Sequence, residues 1–167
     1  MILLTEERMI SIKRLDYEDP VHAEALITLM DAYAQDPMGG GQGLHSEVRE
    51  SLAQALSQRP NALSILALDG ATPVGLLNAF EGFSTFSAKP LMNIHDVIVA
   101  EAYRRQGISQ KMIALLEDVS RERGCCKITL EVLSENIPAK ASYKQLGFAP
   151  YQLDPRLGVA EFWQKTI

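Results

Sequence analysis

A strand that runs through a basic, glycine-bearing turn into an amphipathic helix leaves a chain few folds, and residues Asn93 to Val119 have this form. Asn93-Ile94-His95-Asp96-Val97-Ile98-Val99 reads as the strand, and regular alternation would put Asn93, His95, Val97 and Val99 on one face and Asp96 on the other. Ala100 to Tyr103 lead into Arg104-Arg105-Gln106-Gly107-Ile108-Ser109, and Ile108, Met112, Leu115, Leu116 and Val119 then recur at the spacing of one buried helical stripe. The first turn of a helix carries unpaired N–H groups and the positive end of the helix dipole, so such a turn suits an anion. Gly107 permits close approach of a ligand to the backbone, and Arg104 and Arg105 add charge that does not titrate away. An ordinary strand–loop–helix connection with a solvated arginine pair fits the same residues, and this stretch alone leaves both readings open.

A second stretch narrows the choice. Ile128 to Leu133 alternates as a strand, with Ile128, Leu130 and Val132 opposite Thr129, Glu131 and Leu133. Asn136 has the character of a helix N-cap, Pro138 is tolerated in a first turn, and Gly147 stands where a C-terminal cap belongs. Tyr143 follows Asn136 by about two helical turns, which brings its phenol to the side of the N-cap.

With Val97–Ser109 followed by Leu130-Glu131-Val132, Asn136, Tyr143 and Leu146-Gly147-Phe148, the chain resembles the GNAT superfamily of acyl-CoA-dependent N-acetyltransferases. The family's signature turn, Arg/Gln-x-x-Gly-x-Gly/Ala, stands here as Arg104-x-x-Gly107-x-Ser109, with serine in place of the usual final glycine or alanine. The resemblance implies a mixed α/β fold: a mostly antiparallel central sheet whose two middle strands splay apart, flanked by helices, with the cofactor entering the gap. It implies acetyl-CoA as co-substrate, no metal, and direct attack by a primary amine in a ternary complex. Backbone groups of Val97, Ile98 and Val99 would pair with the pantetheine arm, and those of Arg104, Arg105, Gln106, Gly107, Ile108, Ser109 and Gln110 would surround the pyrophosphate. Asn136 would bond the arm from the other side, and the N–H of Val99 would support the oxyanion.

The chemistry asks for an acid and a base. Tyr143 is the expected acid, because a phenol of pKa about 10 can protonate a thiolate leaving group of pKa roughly 8–9. His95 and Glu131 are the alternatives for the base, with bulk water behind them; Asp96 would need a backbone bulge to take part. His22 and His45 read as surface helix residues.

The rest of the chain sets the frame. Its 167 residues, 47% hydrophobic and 22% charged, suit one domain spanning 1–167. The net charge of −5 argues against a nucleic-acid binder and agrees with a cationic amine substrate. No apolar run has the length of a membrane span, and Thr5, Glu6, Glu7 and Arg8 interrupt the N-terminus, so no membrane partner and a cytoplasmic location are expected. Adjacent Cys125 and Cys126 can neither bridge without strain nor supply a zinc set, and burial at the start of a strand is their expected fate.

In chain order, Met9–Leu15 alternates as a first strand, and Asp19-Pro20 opens a helix to about Gln35 with Ala25, Leu26, Leu29, Met30 and Tyr33 inward. Asp36 to Gly43, with four glycines, is a loop: a mobile wall of the acceptor pocket by the resemblance, or a plain connector. Ser46 is expected to cap a second helix to about Gln58 with Val48, Leu52, Ala55 and Leu56 inward. Leu63–Leu68 and Val74–Phe80 form a hairpin, and Glu81–Pro90 is turn-rich, with at least one of Phe83 and Phe86 in the core. Phe148–Leu153 and Ala160–Lys165 read as a closing antiparallel pair. The phenylalanine segment and the glycine loop favour an enclosed pocket and a small-molecule amine. A protein N-terminus or lysine, and a CoA-binding regulatory module without turnover, are the alternatives; a homodimer is an expectation by analogy alone.

Overall fold

The computed structural model describes residues 9–167; Thr5 to Arg8, which entered the reading of the N-terminus, lie outside the described residues. Contacts divide the chain into two compact units, one ending at Leu130 and one spanning Glu131–Ile167.

In the first unit five strands stand in sequence order: β1 (Ile10–Arg14), β2 (Ala62–Asp69), β3 (Thr72–Ser84), β4 (Lys89–Val99) and β5 (Ile128–Leu130). The first four pair antiparallel, and β5 runs parallel to β4 through Met92↔Ile128, Asn93↔Thr129 and Ile94↔Leu130. Helix α1 (Pro20–Gln35) begins where Asp19 accepts the N–H of Val21 at 2.8 Å, and it turns Ala25, Leu26 and Leu29 inward. Helix α2 (Ser46–Ser57) departs from the sequence reading at its start. His45 is the N-cap residue and Ser46 is already helical, with no side-chain cap bond. Leu52, Ala53 and Leu56 face the core, whereas Val48 and Ala55 are exposed. Helix α3 (Ile108–Glu122) buries Ile108, Met112, Ile113, Leu116 and Val119; Leu115 is only half-buried.

The sheet carries a core on each face. Leu66, Leu76 and Ile98 pack with Leu15, Ala25, Leu26, Leu29 and Leu56 under α1 and α2. Gly75, one residue from Leu76 and so on the opposite face, lies under α3: a Cβ there would sit 3.2 Å from Ile108 Cγ2.

The segment expected to be turn-rich, Glu81–Pro90, is mostly strand, with the turn confined to residues 85–88. The ladder continues from Glu81↔Met92 to Ser84↔Lys89, and this backbone pairing outweighs the local turn propensity. Both phenylalanines are exposed, Phe83 at 63% and Phe86 at 102%, so neither is in the core and neither supports an enclosed pocket. Cys125 is half-buried and Cys126 exposed, ahead of β5.

In the second unit, α4 (Ile137–Gln145) is capped by Asn136, whose Oδ1 accepts the N–H of Ala139 at 3.2 Å. It ends as the sequence suggests: Gly147 adopts φ 87°, the N–H of Phe148 bonds the carbonyl of Tyr143 and that of Gly147 bonds Lys144. This is the Schellman arrangement, and the Tyr143 and Phe148 rings meet edge to face at 5.9 Å across it. The two expected closing strands do not form. Residues 148–153 and 159–167 carry no ladder; one bond, Ala160 N–H to Tyr151 O, and a 3-10 turn at Pro155–Leu157 stand in their place. An alternating pattern supplies a strand's faces but not the neighbour its backbone must pair with. For the same reason β5 stops at Leu130, three residues short of the predicted end, and Val132 and Leu133 are exposed.

Candidate active site

One irregularity in β4 arranges the site. Asn78 stands opposite Asp96 and the next residue, Ala79, stands opposite Ile94, so His95 is the extra residue of a β-bulge. A bulge shifts the alternation by one, and the expected set of Asn93, His95, Val97 and Val99 on one face therefore breaks. Val97 and Val99 pair with Leu77 and Gly75 on the α3 side. The His95 ring meets Phe80 edge to face at 4.9 Å, and Phe80 packs against the α1–α2 core. Asp96 shares that side, its Oδ2 accepting from Asn78 Nδ2 at 3.0 Å. The bulge that Asp96 needed is present.

The same alternation decides which backbone groups face outward. Ala100 donates to Val74 O at 2.9 Å, so by the antiparallel pattern Ile98 also turns its N–H and C=O to β3, while those of Val97 and Val99 point to the other edge. On that edge the β5 ladder ends at Ile94, so among the described residues Val97 and Val99 have no strand partner there. Of the three backbone positions expected to pair with an extended arm, two turn their backbone groups to that edge.

The turn after β4 is built from left-handed residues. Arg105 has φ 61° and Gly107 φ 76°. Gly107 is the N-cap of α3, which has no side-chain cap bond, and no atom lies within 4 Å of a Cβ placed there. The first amides of α3 thus have no side-chain cap, at the positive end of a fifteen-residue helix. Tyr103 OH donates to Asp69 Oδ2 at 2.9 Å and anchors the approach to the turn. Gln106 Nε2 bonds Ala102 O at 3.1 Å, and Ser109 Oγ bonds Gln110 Oε1 at 3.1 Å.

Arg104 has partners within the chain. Its Nη2 meets Asp36 Oδ2 at 3.0 Å and its Nε donates to Val99 O at 3.2 Å. Asp36 opens the glycine loop, and its other oxygen accepts the N–H of Met38 at 2.9 Å. That backbone bond, and then Arg104, hold the Asp36 carboxyl below its ordinary pKa. The loop is closely tied: Gly39 and Gly41 donate to Asp36 O, and Leu44 N–H bonds Asp31 Oδ1 at 2.8 Å. Gly39 packs so tightly that a Cβ would fall 1.9 Å from Tyr33 O. Tyr33 is half-buried, and burial first, then Asp96 and Asp36, push its phenol above the usual pKa.

Of the other predicted residues, Glu131 lies just past β5, exposed, in the second unit, where Asn136 and a half-buried Tyr143 also belong. His22 is not a surface residue: it is 9% exposed and its Nδ1 accepts the N–H of Asp16 at 3.1 Å. His45 is exposed, at the N-cap of α2 rather than within it. The residues missed from sequence are Asn78 and Asp36, neither of which lies in a motif.

Residues 26–148 match the acetyltransferase (GNAT) family. The chain belongs to that family. This GNAT chain is 26% identical over 135 residues to aminoglycoside N(6')-acetyltransferase type 1 of Serratia marcescens, covering 78% of itself and 85% of that protein. It is 35% identical over 83 residues to streptothricin acetyltransferase of Streptomyces lavendulae, covering 50% of itself but only 44% of the relative. The match to glucosamine 6-phosphate N-acetyltransferase of Trypanosoma brucei brucei spans 48% of that protein, so the chain covers less than half of these two relatives. Its fold is that of an aminoglycoside acetyltransferase from an uncultured soil metagenomic sample, at TM-score 0.76 and 23% identity over 96% of this chain and 99% of that one. A transcriptional regulator from Bacillus halodurans C-125 has the same fold at TM-score 0.76 and 20% identity, covering 95% and 100%. No helix among the described residues is long and apolar enough to cross a membrane.

Proposed function

We propose that the protein transfers the acetyl group of acetyl-CoA to a primary amine of a small molecule. The observation that carries this reading is the pairing of two open features at the end of β4: the outward backbone of Val97 with the N–H of Val99, and the uncapped start of α3 behind left-handed Gly107. An extended amide-bearing arm suits the first and a diphosphate the second. Bound there, the co-substrate would supply an activated thioester carbonyl. The N–H of Val99 would support negative charge on its oxygen, and the amides from Arg105 to Gln110 would hold the diphosphate. Arg104 serves a different part, since its guanidinium holds Asp36 and Val99 O.

His95 or Glu131 would take the amine's proton, directly or through water; Tyr143 would protonate the departing thiolate and Asn136 would bond the arm. The small-molecule acceptor is supported by the names of the relatives, streptothricin and aminoglycoside acetyltransferases. The test is calorimetry with coenzyme A, followed by thiol release from acetyl-CoA across a panel of small amines and peptides. Micromolar binding and amine-dependent thiol release are expected. No heat of binding would remove the reading, and binding without thiol release from any amine would leave a CoA-binding module.

A further inference from the structure

Two carboxylates, Asp96 and Asp36, add to the effect of burial on the Tyr33 phenol, and they are held by different means. Asp96 ends a buried neutral chain. Tyr17 OH donates to Ser64 Oγ at 2.8 Å and Ser64 Oγ to Asn78 Oδ1 at 2.6 Å; Asn78 Nδ2 donates to Asp96 Oδ2 at 3.0 Å and to Met30 Sδ at 3.2 Å. Asp36 is held by its own loop and by charge. Its Oδ1 takes the N–H of Met38 at 2.9 Å, its main-chain carbonyl takes those of Gly39 and Gly41 at 2.8 and 3.1 Å, and its Oδ2 faces Arg104 Nη2 at 3.0 Å. The loop bonds need no charge, and an asparagine would make them equally well. What the carboxylate adds is a hold on Arg104.

That hold reaches the end of β4. Arg104 Nε donates to Val99 O at 3.2 Å, so one guanidinium joins Asp36 to the last residue of the strand. On the β3 side the next peptide is fixed by Ala100 N–H to Val74 O at 2.9 Å, but on the other edge no strand meets Val99 among the described residues. In an extended residue the N–H and C=O point to the same edge, so the bond that fixes the carbonyl also fixes the direction of the amide. That amide is the one the proposed reaction sets against the thioester oxygen, where a donor has to be aimed before charge develops. The planar fork of an arginine serves a carboxylate and a carbonyl at once, and an ammonium offers no such fixed pair of donors. A partly exposed ion pair adds little to stability, which leaves the aim of Val99 as its larger effect.

We infer that Asp36 is a positioning residue for acetyl transfer: through Arg104 it holds the last residue of β4 so that the N–H of Val99 faces the thioester oxygen. The inference rests on the acetyltransferase reading above and deepens it.

The experiment compares the wild type with Asp36→Asn, which keeps an acceptor for Met38, with Arg104→Lys and with the double variant. Thiol release from acetyl-CoA is measured with the fastest acceptor of the panel above, and coenzyme A affinity by calorimetry. Each single variant is expected to lose about tenfold in kcat, a fraction of what removing an oxyanion donor costs, with coenzyme A affinity and the KM for the amine held within about threefold. The double variant should be no slower than the slower single one by more than about twofold, because both changes break the same link. Two independent structural defects would instead multiply to about a hundredfold. An unchanged kcat in Asp36→Asn, losses that multiply, or a loss that falls equally on coenzyme A affinity overturns the inference while leaving acetyl transfer standing. A wild type that releases thiol with no member of the panel overturns both.

Discussion

Replacing Asn78 by leucine tests whether the buried polar chain is what holds Asp96. The substitution matches volume closely and removes three bonds at once. Losing the donor to a carboxylate costs about 1.5–3 kcal/mol, and leaving a buried hydroxyl without an acceptor costs about 1–3 kcal/mol. Ser64 can recover part of this by turning its proton to Tyr17, which is only half-buried and can face water. The added apolar surface offsets roughly a further 1 kcal/mol. The net loss comes to about 2–4 kcal/mol, a fall in Tm of about 4–16 °C for a chain of this size. Scanning calorimetry and urea unfolding with an unchanged m-value read it directly. A loss below about 1 kcal/mol in Asn78→Leu would refute the claim that Asn78 holds Asp96 in place.

Three further outcomes follow from the site. Gly107→Ala meets no atom but forces a side chain into a left-handed conformation; a stability loss of about 1 kcal/mol and at least tenfold weaker coenzyme A binding are expected by calorimetry. Asp36→Asn should cost about 0.2–1 kcal/mol at pH 7 by urea unfolding, as befits an exposed arginine pair. Because folding lowers the Asp36 pKa, its contribution is present above the unfolded value and is lost as the pH falls through the folded one, so wild type and variant should converge below about pH 4. Tyr143→Phe keeps the ring against Phe148, so stability and coenzyme A affinity should hold within twofold while thiol release falls by about 10²-fold; unchanged turnover would remove Tyr143 from the mechanism.

Local chemistry was legible in the chain. Asp19-Pro20, Asn136-Pro138 and Gly147 mark helix ends through bonds that span at most a few residues, and the structure places those ends where the sequence does. The left-handed turn at Gly107 and the stripe behind it belong to the same class, since glycine at the head of an amphipathic helix is a statement about adjacent dihedral angles. What required the fold is whatever depends on a partner far along the chain. The bulge at His95 arises from pairing with β3, and it alone moves Asp96 beside His95 and sends Val97 and Val99 to the opposite face. Arg104 reads as an anion ligand until Asp36, from a loop 68 residues earlier, is seen against it. His22 reads as exposed until the backbone of Asp16 closes on its ring, and the C-terminal strand patterns stay unrealised where no neighbour pairs with them. Sequence sets dihedral preferences and periodicities, but the face a side chain occupies depends on register, and register is decided only when distant strands meet.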